Sequence, residues 1–290
     1  MMPMTLSEVA QAVGCTAEYF LNNHAKITSI STDSRPQPED EDKESCLFVA
    51  LRGEKFDGHQ YVDSALRNKA AYALVDEKGV QEYCSEISPE HLIVCKDTEQ
   101  GFLDLAGYYR NQFQFKMVGV TGSVGKTTTK EMIAQVLSAQ YETLKTQGNF
   151  NNRVGLPKTL FQLDNSIEAA VIEMGMNSFG EISDLTRRAR PDAAVITNIG
   201  VAHIEYLGSR AGILKAKMEI IEGMKEGSPL ILNKDDDMLA DLDCPQMKKI
   251  YYGIEHSDCD VHAKDIQEEG GHTSFTIVYE GKEYPAVIPT

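Results

Sequence analysis

Thr121-Gly122-Ser123-Val124-Gly125-Lys126-Thr127-Thr128 decides the fold. It follows an apolar stretch, Lys116–Val120, and opens a stretch with Met132, Ile133, Val136 and Leu137 at helical spacing. A strand, a glycine turn and a helix in that order form a phosphate loop. Glycines let backbone N–H groups turn toward phosphate oxygens, and the helix N-terminus adds partial positive charge. Lys126 can then reach the terminal phosphates and the Thr127 hydroxyl can ligate Mg²⁺. The usual pattern begins with a glycine where Val120 stands here, so this is a variant with Gly122-x-x-Gly125-Lys126-Thr127 as its core. A plain glycine turn is the ordinary alternative, and it leaves Gly-Lys-Thr at a helix start unexplained.

Downstream of this loop, Val171-Ile172, Ala193–Ile199 and Leu230–Leu232 read as buried strands, with helices over Phe179–Arg188 and Ser209–Met224. Strands alternating with helices predict α/β architecture on a parallel sheet. After Lys248 the pattern becomes β-rich, with turns at Gly270-Gly271 and Glu280-Gly281. Upstream lies a smaller mixed unit. Thr5 and Glu8 form a capping-box pattern before an apolar face of Leu6, Val9, Ala10 and Val13. Strands are expected around Ile27 and Ile30, at Cys46–Leu51, Tyr72–Val75 and His91–Cys95. Helices are expected at His59–Lys69 and Thr98–Phe113, and an acidic, proline-bearing loop at Pro36–Glu44. The expected domains are 1–114 and 115–290.

The 290 residues suit two domains. The composition, 42% hydrophobic and 25% charged, belongs to a globular protein. A net charge of −16 disfavours nucleic acid and anionic membrane as partners, though it allows an anionic small ligand in a positive pocket. No apolar run approaches the roughly 18 residues that a membrane helix needs. No signal peptide is evident; a cytoplasmic location and a monomer are expected. The six cysteines, at 15, 46, 84, 95, 244 and 259, include no C-x-x-C pair and read as buried free thiols.

A guanine-reading pattern is suggested by Asn233-Lys234-Asp235-Asp236 after an apolar strand. It is set aside because the first loop glycine is missing and no Asp-x-x-Gly follows Lys126, leaving no acidic switch for Mg²⁺.

The ordered motifs resemble those of the Mur ligases. Thr121–Glu131 resembles their ATP loop, and Gly148-Asn149-Phe150-Asn151-Asn152 with Gly155 and Pro157 resembles their substrate loop. Glu173-Met174-Gly175, Asn198-Ile199, Ala202-His203-Ile204-Glu205 and Ala216-Lys217-Met218-Glu219-Ile220 match successive motifs in order. Asp33-Ser34-Arg35 and Asp57-Gly58-His59 are similar to the UDP-substrate domain of two members. The run Glu173–Asn177 and the pairs Leu232-Asn233 and Asp235-Asp236 favour the member that adds a dipeptide.

The resemblance implies an ATP- and Mg²⁺-dependent amide ligase of peptidoglycan precursor synthesis. It would join D-alanyl-D-alanine to a UDP-N-acetylmuramoyl-tripeptide through an acyl phosphate. It assigns catalytic roles to Lys126, Glu173, His203 and Lys217, and ATP binding to Thr121–Thr128. Metal ligation falls to Thr127, Glu173, His203 and Lys217, the last as a carbamate formed with CO₂. Lys215 lies two residues from Lys217, on a different helix face. Substrate contacts fall to Ser34, Arg35, Asp57, His59, Asn151 and Asn152. Read without the family, Glu173 is an acid at the carboxyl end of a strand, where α/β sites form. His203 is a satisfied or solvent-exposed histidine and Lys217 a solvated surface lysine; Asn151 and Asn152 fit a turn and a ligand contact equally, and Asp57-Gly58-His59 is equally well a turn and helix start. Two alternatives stay open: the ligase that adds the third amino acid to the UDP-dipeptide, and a non-catalytic precursor-binding module. The family has a third, Rossmann-like domain, which is expected to be absent from a chain ending at Val287-Ile288-Pro289-Thr290. Such a chain is expected to bind ligands and to turn over slowly or not at all.

Overall fold

The computed structural model describes residues 1–35, 45–53, 56–68, 70–202 and 204–289. The expected loop at 36–44, Lys69 and His203 therefore lie outside the described residues. In chain order the elements begin β1 (Met4–Thr5), α1 (Leu6–Ala12), α2 (Glu18–Leu21), β2 (Lys26–Ile27), β3 (Ser29–Ser31) and β4 (Cys46–Val49). They continue α3 (Val62–Asn68), β5 (Tyr72–Asp76), α4 (Glu77–Tyr83), β6 (Leu92–Cys95), α5 (Thr98–Arg110), β7 (Lys116–Thr121) and α6 (Lys126–Leu137). Next come β8 (Thr143–Lys145), α7 (Gly155–Leu160), β9 (Ala169–Glu173), α8 (Glu181–Ala189), β10 (Ala193–Ile196), α9 (Ile204–Leu207) and α10 (Arg210–Met218). The chain finishes with β11 (Pro229–Asn233), β12 (Lys248–Gly253), β13 (Val261–Glu269), β14 (His272–Tyr279) and β15 (Lys282–Pro289).

Two compact units result. The first is Met1–Gln114 with Arg153–Ser166, and the second is Phe115–Asn152 with Ile167–Thr290. Sequence reading kept 115–290 together, whereas 153–166 clusters with the first unit. The physical reason is aromatic. Phe161, just past α7, packs at ring-centroid distances of 5.7 Å from Phe102 and 5.4 Å from Tyr109 on α5. The Tyr109 hydroxyl also donates to the Leu163 carbonyl at 2.6 Å.

The first unit carries a four-stranded parallel sheet, order β3-β4-β5-β6, and a small antiparallel pair of β1 and β2. All four residues of β4 are buried, as expected for a parallel strand covered on both faces. The capping box forms: Thr5 Oγ1 accepts from the Glu8 amide, and Glu8 accepts from the Thr5 amide. The helix expected from His59 begins instead as a 3₁₀ turn, Gly58–Tyr61, because the Asp57 side chain caps the His59 amide.

The second unit holds a nine-stranded sheet, order β15-β14-β13-β12-β11-β10-β7-β9-β8. The pairings from β8 to β13 are parallel; β13, β14 and β15 pair antiparallel. Gly270-Gly271 and Glu280-Gly281 make the two expected turns, all four residues at positive φ as tight hairpins require. The chain lays β8 and β9 on one side of β7 and then returns to lay β10 on the other. The carboxyl ends of β7 and β10 therefore flank a topological switch point, where ligands of α/β sheets bind.

Three expectations shift. The inward stripe of α6 is Lys130 and Ala134, both buried, with Ile133 and Leu137 half-buried, while Met132 and Val136 are 49% and 73% exposed. The strand from Ala193 stops at Ile196, because Thr197 and Asn198 turn to bind the phosphate loop. The helix expected over Ser209–Met224 ends at Met218 and tightens into a 3₁₀ turn, Glu219–Gly223. There Thr186 Oγ1 donates to the Ile220 carbonyl at 2.6 Å, and a Cβ on Gly223 would lie 2.0 Å from the Thr186 carbonyl oxygen.

Candidate nucleotide and metal site

The loop after β7 is built around two glycines in different ways. Gly125 caps α6 at φ 81°, and a Cβ there would meet nothing within 4 Å. Its surroundings are an open cradle at a helix N-terminus. Gly122 is a packing necessity, since a Cβ would fall 1.9 Å from Thr197 Oγ1. The segment after β10 pins the loop. The Val124 carbonyl accepts from Thr197 Oγ1 at 2.6 Å and Asn198 Nδ2 at 2.9 Å, and Asn198 Oδ1 accepts from the Val124 amide at 3.0 Å. The Gly200 amide donates to Ser123 Oγ at 2.9 Å. Such a prefixed loop offers its amides to an anion with little further ordering cost.

Glu173 ends β9 and is 1% exposed. Its two carboxylate oxygens are separately engaged. Oε2 accepts from Thr127 Oγ1 at 2.9 Å, and Oε1 accepts from Asn151 Nδ2 at 2.7 Å. One carboxylate thus joins the phosphate-loop helix to the 148–152 loop. Asn152 is exposed one residue further on. Lys126 is half-buried; its ammonium donates to the Gly122 carbonyl at 2.9 Å. Burial pushes its pKa down, and the negative charge of Glu173 opposes that shift.

Lys217 on α10 is 2% exposed, whereas Lys215 is exposed and lies 5.7 Å from the Phe179 ring centroid. Of the two lysines, Lys217 is the one turned inward. Burial, and secondly the positive charge of Lys126, push its pKa down to about 7. Thr121 Oγ1, at the loop's start, is buried without a hydrogen-bond partner among the described residues. An orphaned hydroxyl and an open cradle beside a carboxylate and a hydroxyl oxygen fit a phosphate with a hard cation. Mg²⁺ is commonly held by one or two carboxylates, substrate phosphates and water. Among the described residues no group of three or more His, Cys, Asp or Glu gathers for a metal, so this sparse oxygen set is the candidate.

Lys130 and Thr146 escaped sequence reading. Lys130 is fully buried on α6 and donates to the carbonyls of Thr146 at 2.7 Å and Gly148 at 3.3 Å. Thr146 Oγ1 accepts from the Glu173 amide at 3.0 Å. The available signal was a lysine three residues after Thr127, on the same helix face. The Asn233–Asp236 run has structural partners instead of a base to read. Asp235 accepts from the amides of Ile254, Glu255 and His256, and Asp236 accepts from that of Ile199.

In the first unit, Ser34 and Arg35 line a cavity of about 470 Å³ with Phe48, Phe56, Tyr61 and Lys158. Asp57 and His59 do not line it. His59 is 1% exposed; its Nδ1 faces Asp57 Oδ1 at 2.6 Å and its Nε2 accepts from the Asp76 amide at 3.1 Å. Arg52 bridges Asp57, at 2.8 Å, and Asp76. Five cysteines are buried and Cys259 half-buried, all as free thiols. No helix among the described residues is long and apolar enough to cross a membrane.

Residues 120–290 match the family model of the Mur ligase middle domain. The UDP-N-acetylmuramoyl-tripeptide--D-alanyl-D-alanine ligase of Bacillus subtilis is 40% identical, covering 100% of this chain and 60% of that protein. The Escherichia coli ligase of the same name is 38% identical over 87% of this chain and 53% of its own length. Among solved structures, MurF from Acinetobacter baumannii superposes with a TM-score of 0.87 at 31% identity, covering 100% of this chain and 61% of that one. MurF ligase from Thermotoga maritima in complex with ADP gives 0.79 at 30% identity, covering 89% and 57%. The chain thus spans about 60% of the first of these relatives and about half of the second.

Proposed function

The chain belongs to the Mur ligase family, and from that premise we propose that it carries the UDP-precursor and ATP sites of a D-alanyl-D-alanine-adding amide ligase. The observation that carries the reading is Glu173, held between Thr127 of the phosphate-loop helix and Asn151 of the second loop. A carboxylate placed there can face ATP on one side and the acyl substrate on the other.

In this reading the tripeptide carboxylate attacks the γ-phosphorus of ATP. The bond to ADP breaks and an acyl phosphate forms. The dipeptide amine then attacks the acyl carbon, loses a proton and expels inorganic phosphate. Catalysis of such a transfer rests on positioning and charge neutralisation. The amides of residues 122–127 cradle the phosphates, and Lys126 turns from its own loop carbonyls to the transferring group. Thr127 and Glu173 would hold Mg²⁺, which supplies charge neutralisation at the phosphates. Lys217, with its pKa near 7, holds a useful fraction of neutral amine at physiological pH. That nitrogen can attack CO₂ and release a proton, replacing a buried cation by an anionic oxygen ligand. With ¹³C-bicarbonate, a carbamate carbon resonance is expected in the wild-type chain and not in Lys217→Ala; a spectrum unchanged by the substitution would remove this step. His203 keeps the metal role that the family resemblance implies. Ser34 and Arg35, on their cavity, are the contacts proposed for the UDP-sugar; Asp57 and His59 support that domain from inside.

Calorimetry separates the members of the class. Tighter binding of UDP-muramyl-tripeptide than of UDP-muramyl-dipeptide is expected. A preference for the dipeptide would move the assignment to the ligase adding the third residue.

A further inference from the structure

Lys130 has no part in the reading above, yet it is among the largest side chains with no exposure at all. Burying an ammonium is costly unless it is hydrogen-bonded, and Lys130 directs two of its donors at one short segment. Its Nζ reaches the Thr146 carbonyl at 2.7 Å, the Gly148 carbonyl at 3.3 Å and Glu131 Oε1 at 3.0 Å. Glu131 also binds Lys145, so the ion pair closes on the base of the same segment. From there two paths lead to Glu173. Thr146 Oγ1 accepts from the Glu173 amide, and three residues past Gly148, Asn151 donates to the Glu173 carboxylate. Within the loop the Phe150 amide binds Gln147, the Asn151 amide binds Asn149, and the Gly175 amide binds the Asn151 carbonyl.

We propose that Lys130 is a positioning residue, fixing the 146–151 loop so that Asn151 and Thr146 hold Glu173 in line with Thr127. This deepens the proposed function and rests on it for the role of Glu173 toward Mg²⁺-nucleotide. The Lys130 ammonium turns to the 146–148 carbonyls and Glu131, and the influence proposed for it runs through that loop. Outer partners of a metal carboxylate commonly contribute about 10- to 100-fold in metal affinity.

The test compares wild type, Lys130→Met and Lys130→Arg by calorimetry with ADP, each with and without Mg²⁺. In Lys130→Met the affinity for ADP with Mg²⁺ is expected to fall by about 10-fold or more, with ADP alone unchanged. Lys130→Arg, which keeps donors for both carbonyls, is expected to recover most of that loss. In an Asn151→Ala background, Lys130→Met is expected to cost clearly less than in the wild type, since one of the two paths to Glu173 is already cut and only that through Thr146 remains. Equal losses with and without Mg²⁺, or full additivity with Asn151→Ala, would overturn the proposal. Amide hydrogen exchange supplies a ligand-free arm. Phe150, Asn151 and Gly175 are expected to exchange about ten times faster in Lys130→Met, while Met174, bonded to the Val120 carbonyl, is unchanged. Unaltered exchange in the loop also overturns it. If Lys130→Met does not unfold cooperatively, Lys130→Gln, with one donor kept, takes the same measurements. A wild-type chain whose ADP affinity ignores Mg²⁺ would count against the functional reading, and the exchange arm would still decide the role of Lys130.

Discussion

Lys217→Met is expected to stabilise the chain at pH 7 by roughly 3 kcal/mol, an unusual direction for a buried substitution. The cause is the ammonium, whose charge is opposed first by burial and second by the charge of Lys126. In the unfolded chain a lysine keeps its proton to about pH 10.4, whereas in the fold Lys217 releases it near 7. Between those values the unfolded state binds more protons, so stability rises with pH. For the wild type the gain from pH 7 to 8.5 should be about 1.5 kcal/mol. Lys126, also lowered, adds to the slope with the same sign. Above about pH 9 the buried thiols act oppositely. Cys84 and Cys95 are pushed up to about 11 and about 12 by burial, so they stay protonated in the fold while unfolded thiols ionise. Urea unfolding in CO₂-free buffer between pH 7 and 8.5 is therefore the measurement. The variant should show the higher midpoint and less than half the pH slope. Equal midpoints, or the same slope in both proteins, would mean that Lys217 is charged and partnered in solution. The proposed carbamate gives this instability a purpose, since a lysine in a comfortable ion pair would not be nucleophilic near neutral pH. Stability surrendered at a reactive group is the usual trade at a functional site.

The same residue marks what a sequence can and cannot say. Helical spacing places Lys215 and Lys217 on different faces, but which face turns inward depends on how α10 meets the sheet. The phosphate loop was legible because its chemistry is local: a strand, two glycines, a lysine and a hydroxyl within eight residues. Alternation of strands and helices gave the parallel sheet, and paired turn residues gave the β13–β15 hairpins. What stayed hidden depends on contacts distant in sequence. Glu173 lies 46 residues from Thr127 and 22 from Asn151. No periodicity predicts that both donors meet on one carboxylate. Lys130 hid for a related reason: a lysine in a helix is normally solvated, and the carbonyls of Thr146 and Gly148, distant in sequence, together with Glu131 make its burial possible. Arg153–Ser166 crossed into the first unit because Phe161 found aromatic partners on α5, which spacing does not record.

The family resemblance makes Asp57 and His59 substrate contacts, and one experiment separates ligand residues from supporting ones. Asp76→Ala is expected to destabilise the first unit by about 3 kcal/mol. The Asp76 carboxylate pairs with Arg52, caps α4 through the Gly79 amide at 2.8 Å and lies 3.7 Å from His59 Nε2. Removing it leaves Arg52 to Asp57 alone and takes away a helix cap worth about 1 kcal/mol. The network is also acid-sensitive. Despite burial, hydrogen bonds hold Asp57 and Asp76 below the ordinary carboxylate range. Their contribution is present above about pH 4 and is lost as pH falls through the lower folded values, so Asp76→Ala should flatten the acid limb of the stability curve. Arg35→Ala should do the reverse. Its ion pair with Asp33 is exposed, so stability should hardly move. It lines the cavity, however, so affinity for the UDP-precursor should fall about ten-fold or more, as loss of a charged contact to an anion commonly does. Thermal unfolding and calorimetry on both variants decide the matter. If Asp76→Ala loses precursor affinity while its melting temperature holds, the buried network is part of the binding site and Asp57 and His59 return to it. If Arg35→Ala binds as the wild type does, the 470 Å³ cavity is not where the anionic part of the precursor sits. The two side chains lie in one small sheet domain, yet burial assigns them opposite signatures: one governs whether the domain stands, the other what it holds.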